Sequence, residues 1–160
     1  KAHNSHQLES VMSMFTEDIT FETVGEWIMA GKKKIRDLAE GEIALNNHLA
    51  LMDLGVSGDA VSGKAVEDDD LLRLAGFKEI MYDSFIVEFR GDLIKRIAVR
   101  TTKRDREATS KTFHSIVAWA RRERYDETAR LVSNGKFVYN AKNAEGWLAL
   151  LQEWREATTR

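Results

Sequence analysis

The sequence predicts an α+β domain, and three observations predict it. Helical periodicity marks the opening segments and the last third of the chain, while residues 48–102 are mostly strand-like alternation. Proline is wholly absent and no stretch is rich in Gly and Ser, so nothing invites a cut into two domains. The expected organisation is a single domain over residues 1–160, with an α+β core at 1–104 and a helical extension at 105–160.

Residues 5–15 read as the end of an amphipathic helix, because Leu8, Val11, Met12 and Phe15 recur at the spacing of one helical face. Alternation takes over from Asp18 to Val24, with Ile19, Phe21 and Thr23 on one side. Gly25 to Gly31 reads as a connection carrying Trp27. Residues 32–47 return to helix on a stripe of Ile35, Leu38, Ala39 and Ile43. Leu49 to Val56 and Ala60 to Val66 flank Ser57-Gly58-Asp59, a hairpin signal, since Gly and Asp tolerate left-handed backbone angles. Asp68, Asp69 and Asp70 before Leu71, Leu72 and Leu74 predict a capped short helix ending near Gly76. Lys78 to Phe89 and Leu93 to Thr101 predict a second hairpin, turning at Arg90-Gly91-Asp92, with Tyr82, Ser84 and Ile86 on one face and Asp83, Phe85 and Val87 on the other. Phe113, Ile116, Val117 and Ala120, then Ala144, Trp147, Leu148, Leu151 and Trp154, predict the closing helices. Phe137-Val138-Tyr139 between them is a short strand or an extended link.

A chain of 160 residues buries roughly 70% of its unfolded surface and needs no staples. Its hydrophobic fraction of 43% and charged fraction of 31% exclude disorder. No apolar run approaches the ~18 residues of a membrane span. The lack of cysteine excludes disulfides, thiolate metal sites and cysteine nucleophiles, and is compatible with the cytoplasmic location expected. A net charge of −2 supplies no field for nucleic acid or an anionic membrane, so neither partner is expected. Asp68–Asp70 and the basic stretch Lys95–Lys111 read as solvated faces, as does Arg121-Arg122-Glu123-Arg124. The chain opens on Lys1 within a helical pattern, so the natural protein is expected to begin earlier, and a removed targeting segment is compatible with that.

Three segments carry a family likeness. Asn4-Ser5-His6-Gln7-Leu8 through Phe15-Thr16-Glu17-Asp18-Ile19-Thr20-Phe21-Glu22 resembles a first helix running into a first strand. Gly31-Lys32-Lys33-Lys34-Ile35 resembles the glycine that starts the next helix, and Phe89-Arg90-Gly91-Asp92-Leu93-Ile94 the turn between the last two strands. Together these resemble the nuclear transport factor 2-like superfamily, with its SnoaL-like and ketosteroid-isomerase-like members, over about residues 3–102. The resemblance implies a strongly curved antiparallel sheet wrapped into a cone, with helices closing it around an apolar pocket. It selects no chemistry, because members include isomerases, cyclases, dehydratases, epoxide hydrolases and non-catalytic binding or dimerising domains.

Carried over residue by residue, the isomerase base falls at Thr23, whose hydroxyl is far too weak to take a carbon-bound proton. The acid of the oxyanion site falls near Phe85, which has no proton to give. The SnoaL-type carboxylate falls near Ala98. Thr23, Trp27, Phe85, Ala98 and Arg100 therefore remain as ligand-lining candidates rather than catalysts. Asp53 and Asp83 are the substitute acids: Asp53 as a lone carboxylate of the pocket or a solvent-facing one, and Asp83 with Arg100 as an anchor for a polar ligand or a plain cross-strand ion pair. Tyr82 is expected on the opposite face from Asp83. Trp27 stands either at the pocket mouth or in the core. His3 and His6 share helical spacing near a chain end, but no ligand set accompanies them, so no metal is expected; nor is any cofactor, since Gly63-Lys64 lacks the phosphate-loop spacing. The resulting expectation is a domain that binds a hydrophobic small molecule without the usual isomerase or cyclase carboxylates. The alternatives are an isomerase, cyclase or dehydratase using a non-standard acid, and a homodimeric interaction module joined through the sheet. Whether the chain is an enzyme stays open.

Overall fold

The computed structural model describes residues 2–133, 136–138 and 140–158, with the side chains of 136 and 137 outside the description. Its elements run α1 (Leu8–Ser13), β1 (Phe15–Thr23), β2 (Trp27–Ala30), α2 (Lys32–Ala44), β3 (His48–Ser57), β4 (Ala60–Asp68), α3 (Asp70–Leu74), β5 (Ile80–Arg90) and β6 (Leu93–Thr101). The last third holds α4 (Lys103–Glu123), α5 (Tyr125–Leu131), β7 (Val132–Ser133), β8 (Lys136–Phe137) and α6 (Ala141–Thr158). Trp27 lies in a strand rather than a connection: four residues are too few to show a period, but they pair antiparallel with β1, Thr23 opposite Trp27. The first helix is shorter than residues 5–15, because Phe15 already belongs to β1. Of the link Phe137-Val138-Tyr139, Phe137 pairs with Val132 in a two-stranded ladder, and Tyr139 lies outside the described residues.

Six strands form one curved, unclosed sheet in the order β2-β1-β6-β5-β4-β3. The pairing of β1 with β6 is parallel and every other neighbour in this sheet is antiparallel. Curvature has local causes. Register slips by one residue on β3 between Met52 and Gly55, on β5 between Tyr82 and Ser84, and on β6 between Arg96 and Ile94; such bulges bend and twist a strand. Asp53 takes a left-handed φ of 54° at the first of them. Opposite it, Gly63 is obligatory: a Cβ there would sit 2.5 Å from the Met52 carbonyl oxygen.

The inner face of the sheet carries Phe21, Phe85, Val87, Ile97 and Val99, and α1 and α2 cover it near β1 through Val11, Met12, Ile35 and Ala39. Asp69 caps α3 by accepting from the Leu72 N–H at 2.6 Å, as the acidic run predicts. The C-terminal helices build their own apolar cluster, including Ile116, Ala120, Trp147, Leu150 and Leu151, and α6 packs it against α2 and α3. Gly41 lies at this contact, where a Cβ would meet the backbone of Asn140 at 3.4 Å, an ordinary packing distance.

Candidate functional site

The pairing register assigns each candidate to a face. Thr23 stands opposite both Trp27 and Val99, and Val99 opposite Phe85, so all four point inward. Thr23 and Phe85 are buried, and Trp27 stacks on Phe21 with ring centroids 5.4 Å apart. Ala98 pairs with Glu22 and Ile86 on the outer face, and Arg100 follows it there opposite Ser84. Asp83 occupies the bulge and bonds Arg100 at 2.8 Å, both side chains being about half exposed. This is the surface ion pair, apart from Thr23, Trp27 and Phe85. Asp53 is exposed and bonded to Lys64 at 2.8 Å.

The same bulge corrects the expected direction of Tyr82. Two residues of β5 are accommodated where β6 spends one, so Tyr82 and Phe85 share the inner face despite lying three apart. Opposite Tyr82 lies Ala65, and two residues on along the same face of β4 is Glu67. The Tyr82 hydroxyl donates to Glu67 Oε2, and Asn47 Nδ2 donates to Glu67 Oε1 at 2.6 Å. That assignment leaves Asn47 Oδ1 as an acceptor, so the His3 Nε2 facing it at 2.9 Å carries a hydrogen. His3 Nδ1 in turn lies 3.9 Å from Glu42 Oε2 at the end of α2. Five elements thus converge: the N-terminal turn, the last turn of α2, the approach to β3, the end of β4 and the start of β5.

Three carboxyl groups share this region, and burial governs them. Glu42 is pushed up to about 8, by loss of solvation first and by the like charges of Glu67 and Asp69 second. Asp69 is raised to about 6, mainly by burial, although the Leu72 N–H bond opposes the shift. Glu67 is also raised by burial, with Tyr82 and Asn47 holding it back by hydrogen bonding. Glu42 is therefore largely protonated near neutral pH, and its side chain as a whole keeps 26% exposure. Among the described residues, no group of three or more His, Cys, Asp or Glu is placed to hold a metal ion.

Sequence reasoning passes over Glu42, Glu67, Asn47 and Tyr82. A signal for two of them exists: Glu42 continues the apolar stripe of Ile35 and Leu38, and Glu67 ends the alternate face of Val61, Gly63 and Ala65. An acid on an apolar face is either paired or functional.

No family model matches the chain, and no curated protein matches it. Solved structures do. One similar to it is an LEH-like epoxide hydrolase from M. tuberculosis, at 13% identity and a TM-score of 0.56, covering 73% of this chain and 87% of that one. Another is an epoxide hydrolase/cyclase-like enzyme of pyran ring formation in polyether salinomycin, at 16% identity and a TM-score of 0.57, covering 64% and 84%. A third is a nuclear transport factor 2-like protein of unknown function from Cytophaga hutchinsonii, at 14% identity and 0.53, covering 64% and 82%. At such identities the likeness is one of fold.

Proposed function

We propose that this chain, whose fold is the nuclear transport factor 2-like cone, binds a small molecule whose polar end is anchored by Glu42, Glu67, Asn47 and Tyr82. The apolar part of the ligand lies along the inner face toward Phe85, Thr23 and Trp27, which Val99 joins across β6. The observation that carries this reading is the Glu42 side chain, a quarter exposed as a whole, whose carboxyl is pushed up to about 8 by burial beside the Glu67–Tyr82 hydrogen bond. A buried acid without a strong partner is costly, and a ligand that bonds to it offsets the cost. Solved structures of similar fold carry the names of a ketosteroid isomerase, a polyketide cyclase and an LEH-like epoxide hydrolase, which supports a ligand-binding use of the fold.

The test is a thermal-shift screen of a metabolite library against the wild type, Glu42→Gln and Tyr82→Phe. A compound that raises the melting temperature of the wild type and loses that effect in Tyr82→Phe supports the site. Hits that stabilise all three proteins equally refute it.

A second reading, an isomerase, cyclase or dehydratase with a non-standard acid, draws on the same proton. A carboxyl kept neutral near pH 7 can donate to a developing oxyanion or a leaving oxygen. In that reading Glu42 takes the part that the sequence offers to Asp53 or Asp83. A homodimer through the sheet is supported by the edge strand β3, where Leu51, Leu54 and Val56 are exposed; sedimentation velocity tests it.

A further inference from the structure

Residues 2–7 fold back over the acid cluster as a tight turn, with His6 N–H donating to the His3 carbonyl at 2.8 Å and Gln7 N–H to the Ala2 carbonyl at 3.2 Å. Their mooring is largely polar, with one ring contact between His6 and His48, centroids 5.5 Å apart. Asn4 bonds both main-chain groups of Leu49, donating to its carbonyl at 2.9 Å and accepting from its N–H at 3.0 Å, as a neighbouring strand would. His6 Nε2 meets the Asn47 carbonyl at 3.1 Å, and of this segment only Ala2 joins an apolar cluster. His6 also holds a left-handed φ of 52°, which a residue with a Cβ adopts only under constraint. A segment with few apolar contacts, exposed hydrogen bonds and local strain sits at the low end of local stability.

Its His3 imidazole is what presently faces the proposed anchor. One ring nitrogen donates to Asn47 Oδ1 and the other faces the Glu42 carboxyl. We propose that residues 2–7 are a displaceable strap that closes the site, and that His3 stands where the ligand places its own nitrogens. The ligand class is then a small planar base offering two N–H groups, an imidazolium or amidinium. This inference rests on the reading of Glu42, Asn47, Glu67 and Tyr82 as a binding site, and it adds a gate and a ligand chemistry to it.

The experiment uses the full chain with imidazole as the probe, in the wild type, His3→Ala and Asn4→Ala. Amide hydrogen exchange is followed at residues 3–7 and in β4 and β5. Residues 3–7 exchange well before the core strands in the wild type, and Asn4→Ala accelerates them by about fivefold for each hydrogen bond removed, with the core unchanged. Imidazole raises the melting temperature of His3→Ala at concentrations that leave the wild type unmoved, and shifts the Asn47 side-chain amide resonances. The strap is overturned if residues 3–7 exchange only through global unfolding. The ligand chemistry is overturned if imidazole leaves His3→Ala unshifted, even where a screening compound still binds through Tyr82. If imidazole stabilises His3→Ala and its Glu42→Gln double variant equally, the underlying site reading fails instead.

Discussion

Replacing Glu42 by Gln should flatten this protein's loss of stability as pH rises. Glu42 and Asp69 hold their protons more tightly in the fold than in the unfolded chain, where they titrate near 4.5 and 3.8. The native state therefore binds more protons between the unfolded and folded values, and stability falls as pH rises through that window. For Glu42 the window runs from 4.5 to about 8. Counted in full the shift corresponds to about 5 kcal/mol, and the solvent that reaches a quarter-exposed side chain reduces this to about 2–4 kcal/mol. The Gln variant keeps the shape and cannot ionise. Urea unfolding at pH 5, 6, 7 and 8 should give nearly equal stabilities for both proteins at pH 5. By pH 8 the variant should be more stable by about 2–4 kcal/mol. Parallel stability curves across the range would falsify the argument, since they would mean that Glu42 ionises as freely in the fold as outside it.

Two further substitutions probe the frame around the site. Gly63→Ala forces a Cβ against the Met52 carbonyl oxygen, a backbone atom that cannot swing away, so a loss of about 2–4 kcal/mol is expected in chemical denaturation; a neutral result contradicts the close approach of β3 and β4. Leu151→Ala empties a fully buried position among the C-terminal helices and should lower stability by about 2–5 kcal/mol in one transition common to strand and helix signals. Two separate transitions would contradict the proposal that residues 1–160 fold as one unit.

The meander was legible because its hairpins are locally encoded: Gly58 and Gly91 take left-handed φ values of 55° and 60° at the two turns. The cap at Asp69 was legible for the same reason, being a side chain bonded three residues ahead. What did not show was anything that depends on a bulge. A period of two carried through Asp83 places Tyr82 on the outer face, and the single extra residue there returns it to the inner one. The acid cluster was hidden for a different reason. Its members come from three parts of the chain, the turn holding Glu42 and Asn47, the end of β4 with Glu67 and the start of β5 with Tyr82, and only tertiary packing brings Asn47 and Tyr82 onto the Glu67 carboxylate. Asp83 and Arg100 show the converse: neighbours across two adjacent strands are readable from sequence, and they turned out to be an exposed pair.

Carbon-detected NMR of the Glu42 side-chain carboxyl reports most directly on whether the cluster holds a proton at neutral pH. The account predicts a titration midpoint near 8, falling when an N–H-bearing ligand binds. A midpoint near the ordinary 4.5 of a solvated glutamate would contradict it.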